Sequence, residues 1–275
     1  VKVLLDTDIG NDIDDAVCLS YLVAQPLAEL VGVTTVTADP LARAKLASAL
    51  CPPEIPIAPG AARPLRGEPL QEPPLDADAL LARWPHRESF DEDAVSLMRR
   101  VIRAHPGEVT LIAIGALTNV AQLFRADPAT PGLLRSLVLM GGQYLARGDK
   151  AEWNVRNDPA AASVVFEAGA SHLRAIGLDV TRQVHMDAAS FRARFDPKLV
   201  DFAGPWLALR DGVTFHDPLA AVTVFEPSVC GYQRGTVALD GPFTVFDPSP
   251  DGPHEVATSI SPSAFFAHFL PHLSG

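Results

Sequence analysis

The chain has 275 residues, 48% of them hydrophobic, and a formal net charge of −11. That length and apolar content suffice for one large α/β core, whereas the acidic balance excludes a nucleic-acid partner of the usual kind, which needs clustered Lys and Arg. No apolar run approaches the roughly 20 residues of a membrane span, and the N-terminus lacks a basic-then-apolar leader, so a cytoplasmic protein with no membrane association is expected.

Val3-Leu4-Leu5 is a short apolar run of buried-strand type, and the stretch from Ala16, with Leu19, Leu22 and Val23 at helical spacing, is predicted as a helix. Between them lies Asp6-Thr7-Asp8-Ile9-Gly10-Asn11-Asp12-Ile13-Asp14-Asp15, a loop with five carboxylates in ten residues. Such a density of like charge is economical only around a cation, and carboxylate oxygens suit hard divalent ions such as calcium and magnesium. The spacing is not that of an EF-hand. A solvated acidic turn, with Asp14 and Asp15 favouring the positive end of the helix, is the bland alternative. In open α/β sheets a ligand sits beyond the carboxyl ends of the strands, which is where this loop falls.

Leu30 to Val36 reads as a second buried strand ending near Asp39, Leu41 to Leu50 as an Ala-rich helix, and Ile55 to Ile57 as a short extended piece. Residues 59 to 90, rich in Pro, Gly and charge, form an excursion of flap type. Asp91 to Ala104 carries acids early and Arg99, Arg100 and Arg103 late, as a helix dipole favours. Val109 to Ile114, Leu137 to Met140 and Leu173 to Ile176 are further strands, each closed by glycine or an acid and followed by a helical stretch. Asp158-Pro159 and Asp217-Pro218 pair a natural N-cap with a natural first helical residue. Beyond Gly231 come short alternating pieces, 236–239, 243–246 and 256–260, and a final helix from about Pro262 to Leu270. The whole predicts a single domain over 1–275: an open, mostly parallel, Rossmann-like sheet flanked by helices, with a small antiparallel C-terminal appendage. Cys18, Cys51 and Cys230 are odd in number and widely spaced, as reduced core residues are.

Strand ends gather Asp6, Asp8, Asp14, Asp15, Asp39, the Ile114 carbonyl, Glu152, Asn154, His216 and Asp217. Carboxylates, amides and one His suit a hydroxyl-rich ligand held with a metal, since a vicinal diol can both ligate calcium and donate to Asp or Glu.

The chain resembles the inosine-uridine-preferring nucleoside hydrolase family. Asp6-Thr7-Asp8 through Asp14-Asp15-Ala16 looks like its N-terminal aspartate motif with two extra loop residues. Val33-Thr34-Thr35-Val36, Gly115-Ala116-Leu117-Thr118-Asn119, Val138-Leu139-Met140-Gly141-Gly142, Glu152-Trp153-Asn154, Asp158-Pro159, Gly177-Leu178-Asp179-Val180-Thr181 and His216-Asp217-Pro218 follow in the family's order. The resemblance implies calcium-dependent hydrolysis of the N-glycosidic bond of a ribonucleoside or related ribosyl compound. Asp8, Asp15 and Asp217 would ligate the ion with their side chains and Ile114 with its carbonyl. Asp8 would also take a proton from a calcium-bound water that attacks the anomeric carbon of an oxocarbenium-like sugar. Asp14, Glu152 and Asn154 match the ribose-binding positions, and His216, with an ordinary pKa of about 6.5, matches the His that protonates a departing purine. A homodimer or homotetramer is also implied.

The chain departs from the family pattern in four places. Asp39 stands where an Asn is usual, and the loop before Glu152 is shortened around Asp149; both residues are expected to reach ribose. The family's His-Gly loop is not recognisable in Leu70 to Pro85, and the segment before His216 is cut down. Two other functions compete. A haloacid-dehalogenase-like phosphatase would use Asp6 as nucleophile but leaves His216-Asp217 unexplained, and a non-catalytic calcium and ribose binder would have lost its base pocket. Asp179 and Thr181 read as structural, and His268 with His272 lacks a Glu and is interrupted by Pro271.

Overall fold

The computed structural model describes residues 1–273. Eleven strands occur among them: β1 (Lys2–Thr7), β2 (Glu29–Thr35), β3 (Ile57–Pro59), β4 (Val109–Ala113), β5 (Ser136–Met140), β6 (Leu173–Ile176), β7 (His185–Asp187), β8 (Gly212–Thr214), β9 (Cys230–Asp240), β10 (Phe243–Pro248) and β11 (His254–Ile260). Nine form one sheet in the order β10-β9-β11-β6-β5-β4-β1-β2-β3, and β7 pairs with β8 in a separate two-stranded sheet. From β3 to β11 all neighbours run parallel.

Parallel strands covered on both faces need continuous apolar runs, and Val3, Leu4 and Leu5 of β1 and Val109, Leu111, Ile112 and Ala113 of β4 are all fully buried. One apolar cluster on one face of the sheet takes Leu5, Ile112 and Val138; a second takes Leu4, Leu111 and Leu137. The alternation along the strands divides the two layers.

The chain leaves β1 for β2 and β3 on one side and returns to β4 on the other, so the sheet's topological switch point lies between β1 and β4. At a switch point the connections diverge and a crevice opens beyond the strand ends. The aspartate loop follows β1, and Ile114 follows β4.

The antiparallel C-terminal strands do not stand apart from the sheet. β11 pairs parallel with β6, and β9 pairs antiparallel with both β11 and β10. Local patterning shows the strands but not this long-range pairing. His254, the first residue of β11, supports the join: its Nδ1 accepts from the Val237 amide at 2.8 Å, and its Nε2 lies 3.0 Å from the Phe166 carbonyl. With Nδ1 accepting, Nε2 carries the proton and donates. Asp158 caps its helix as expected, accepting from the Ala161 amide, and Asp93 accepts from the Ser96 amide; Asp217 is not a cap, because its helix already begins at His216 and takes Asp217 into its first turn. Cys18, Cys51 and Cys230 are free thiols, and no described helix is long and apolar enough to cross a membrane.

Replacing His254 with Ala leaves the Val237 amide and the Phe166 carbonyl unpaired, which should cost about 1–3 kcal/mol of stability. Urea unfolding measures this, with turnover per folded molecule expected to remain parental.

Candidate metal and substrate site

The helix Asp14–Ala24 begins two residues earlier than its apolar spacing suggests, so Asp14 and Asp15 occupy its first turn, where the helix dipole favours anions. Asp217 lies in the first turn of the helix His216–Phe225, more than 200 residues away, and its amide donates to Asp14 Oδ2 at 3.2 Å. A carboxylate oxygen from each of Asp14, Asp15 and Asp217 lies within 4.8 Å of the other two. All three side chains are buried.

Asp8 is outside this trio but close enough to raise the pKa of each member. Burial is the larger cause in every case. It also raises the Asp8 carboxyl, which the Arg43 guanidinium and a hydrogen bond from Gln71 draw back down. Asp6 is pushed up to about 7 by burial, although Thr34 Oγ1 and Asn119 Nδ2 donate to its Oδ1 at 2.7 and 2.8 Å. Its other oxygen is buried without a partner. Asp12 is likewise pushed to about 7, mainly by burial, and belongs electrostatically to the cluster. Thr7 donates from its hydroxyl to Asp15. A Cβ on Gly115 would lie 3.0 Å from both the amide and Oδ1 of Asp8, so the chain after β4 approaches Asp8 as only glycine allows.

Asn154 Nδ2 donates to the carbonyls of Ile114, at 2.8 Å, and Met140, at 3.1 Å, joining the ends of β4 and β5 at the site. Glu152 is buried, and its carboxylate accepts from the amides of Gly142, Asn154 and Val155 at 2.8–3.0 Å. It therefore fixes the turn that presents Asn154. His216 Nδ1 meets Thr181 Oγ1 at 2.7 Å, and burial with the nearby Arg182 charge pushes its pKa down to about 4. Asp179 accepts from the amides of Tyr144 and Leu145, a structural task. Asp39 and Asp149 are exposed; Asp39 caps the helix Pro40–Leu50 by accepting from Ala42.

Three contributors have no role assigned by the sequence: Arg43, Gln71 and, although its motif is recognisable, Asn119. Arg43, fully buried, reaches under the aspartate loop. Asn119 ties Asp6 to the Thr35 carbonyl and to the Ala61 amide. Gln71 belongs to a strap, residues 71–75, that lies against the loop: Leu75 donates to the Gly10 carbonyl at 2.7 Å, Asn11 to the Pro73 carbonyl at 3.1 Å and Gln71 to Asn11 at 3.0 Å. Gly10 has φ of +121°, and a Cβ there would strike Pro74 at 2.6 Å. Trp153 Nε1 donates to Gln71 Oε1 at 3.3 Å, linking the strap to the Glu152 turn.

Hard oxygen donors, burial and mutual repulsion fit a divalent cation. Carboxyls whose pKa is raised on folding make the folded state bind more protons than the unfolded chain. Their contribution to stability is therefore present at acid pH and lost as pH rises from the ordinary carboxylate range through about 7, the value reached by Asp6 and Asp12. In the metal-free protein, the gain in Tm on adding calcium chloride should thus be larger at about pH 8 than at about pH 5. Differential scanning fluorimetry checks this, and the absence of any shift at either pH would contradict it.

A family model described as inosine-uridine preferring nucleoside hydrolase matches residues 3–267. The chain is 31% identical over 269 residues to a probable uridine nucleosidase 1 of Oryza sativa subsp. japonica, covering 87% of this chain and 81% of that protein. It is 29% identical to a uridine nucleosidase 1 of Arabidopsis thaliana, with 87% and 78% covered. A solved plant nucleoside hydrolase, PpNRh1, superposes with a TM-score of 0.83 at 26% identity over 100% of this chain and 99% of its own.

Proposed function

The chain belongs to the inosine-uridine preferring nucleoside hydrolase family and is a hydrolase of the ribonucleoside N-glycosidic bond, and from that premise we propose that it works with one calcium ion held by Asp8, Asp15, Asp217 and the Ile114 carbonyl. The observation that carries this reading is the meeting of Asp14, Asp15 and Asp217 within 4.8 Å, with Asp8 close enough to raise the pKa of all three. When bound, the ion would supply a positive charge that makes a water more acidic and grips the ribose diol.

The remaining work falls to the chain's own side chains. Asp8, whose carboxyl is raised by burial, is the base that removes a proton from the attacking water. Asp14, beside Asp15 in the same helical turn, accepts from the sugar hydroxyls, and Asn154 faces them from the ends of β4 and β5. Glu152 contributes by presenting Asn154 and by adding negative potential near Asp8. The buried acids stabilise positive charge developing on the ribosyl carbon. His216, held down at about 4, is a neutral imidazole near pH 7 and acts as a hydrogen-bond donor to the leaving base. Asp39 and Asp149, both exposed, are proposed to meet the ribose from the solvent side. A ribonucleoside is the substrate class; uridine is the first nucleoside to try, given the names of the relatives.

The purified protein with calcium should release reducing sugar from uridine within a panel of purine and pyrimidine nucleosides. Asp8→Asn should lower kcat by about 10²–10⁴-fold, the usual worth of a general base. Parental kcat in a folded Asp8→Asn variant would remove Asp8 from that role.

A further inference from the structure

Arg43 is the largest fully buried side chain in the described structure and its one fully buried cation. It projects from the helix Pro40–Leu50, and none of its hydrogen-bond partners is a carboxylate. Nε donates to the Thr37 carbonyl at 2.9 Å, Nη1 to the carbonyls of Asp8 and, at 2.8 Å, Ile9, and Nη2 to Asn11 Oδ1 at 2.8 Å and the Glu72 carbonyl at 3.0 Å. All three guanidinium nitrogens are used, on three separate segments: the aspartate loop, the turn after β2 and the strap. The turn itself is strained, with Thr37 and Ala38 at φ of 75° and 56°. Such backbone persists only where its surroundings over-determine it. Here the Ala61 and Ala62 carbonyls take the amides of Thr37 and Ala38, and Arg43 takes the Thr37 carbonyl.

We propose that Arg43 is a positioning residue that clasps the cation seat to the strap above it, setting the backbone path at Asp8 and Ile9 and, through Glu72, the closure of residues 71–75. This rests on reading the acidic cluster as a metal seat. A role through charge alone makes the opposite forecast, because deleting a nearby positive charge strengthens cation binding, whereas losing the clasp weakens it. Lysine separates the two: it keeps the charge but replaces a planar fork of five donors with a single ammonium that cannot span these carbonyls.

Calcium binding is measured by isothermal titration calorimetry on the parent, Arg43→Lys and Asn11→Ala. Strap order is followed by limited chymotryptic cleavage after the exposed Leu70, at the bond that opens the strap, and folding by thermal melts. The expected result is a calcium Kd raised by about 10- to 100-fold in Arg43→Lys, the usual cost of losing support behind metal ligands, with faster strap cleavage and kcat restored at saturating calcium. Asn11→Ala, which removes one arm without emptying a buried site, should shift both readouts the same way by less. If Arg43→Lys does not fold, Asn11→Ala decides alone. Parental affinity and cleavage, or tighter binding, in the folded variants overturns the clasp, whereas a parent that binds no calcium overturns the metal reading beneath it.

Discussion

Like charges brought out of water in one place are the constraint on which the rest of the structure depends. Asp6, Asp8, Asp14, Asp15 and Asp217 are all buried, and every one has its pKa raised by that burial. Two carboxylates about 4 Å apart repel by roughly 4 kcal/mol at the effective dielectric of partly buried sites. Hydroxyls from Thr7 and Thr34, the Asn119 amide, the Asp217 backbone amide and the Arg43 charge offset part of this. On the proposed reading a divalent cation would offset the remainder and supply a charge that polarises the attacking water.

The sheet explains how residues so far apart in sequence reach one point. β1 has β2 and β3 on one side and β4 on the other, so the loops after β1 and β4 flank the crevice at the switch point. The helix from His216 is aimed into this crevice by its own first turn, where Asp217 donates its amide to Asp14. Residues 71–75 close against it, and Arg43 touches both the loop below and the strap above. On the proposed reading the sugar side rests on regular elements and the base side borders on the strap, Trp153 and His216.

The parts legible in the sequence are those with local causes. Strand and helix alternation follows from the apolar period, the Asp158-Pro159 start from capping, and the acidic loop from its composition. Arg43 was not legible because an Arg in an Ala-rich helix has the pattern of a solvated face, and only the loop folding back over it makes it interior. The strap was not legible because Pro, Gly and charge describe any excursion, and its contact with Gly10 depends on pairing across more than 60 residues. Glu152 stands in a motif matched to ribose binding, but the bonds that its carboxylate accepts from three amides are invisible to a motif. Asp39 and Asp149, which stand where the chain departs from the family pattern, are exposed, and sequence position alone fixes neither a rotamer nor the path of the loop around it.

The most direct measurement is a crystal structure grown with calcium and collected with anomalous scattering. One peak is expected per chain, bonded to carboxylate oxygens of Asp8, Asp15 and Asp217 and to the Ile114 carbonyl at the 2.3–2.6 Å typical of calcium. An ordered cluster with no peak, or a peak that leaves Asp217 and Asp8 unbound, would contradict a shared cation as the centre of this site.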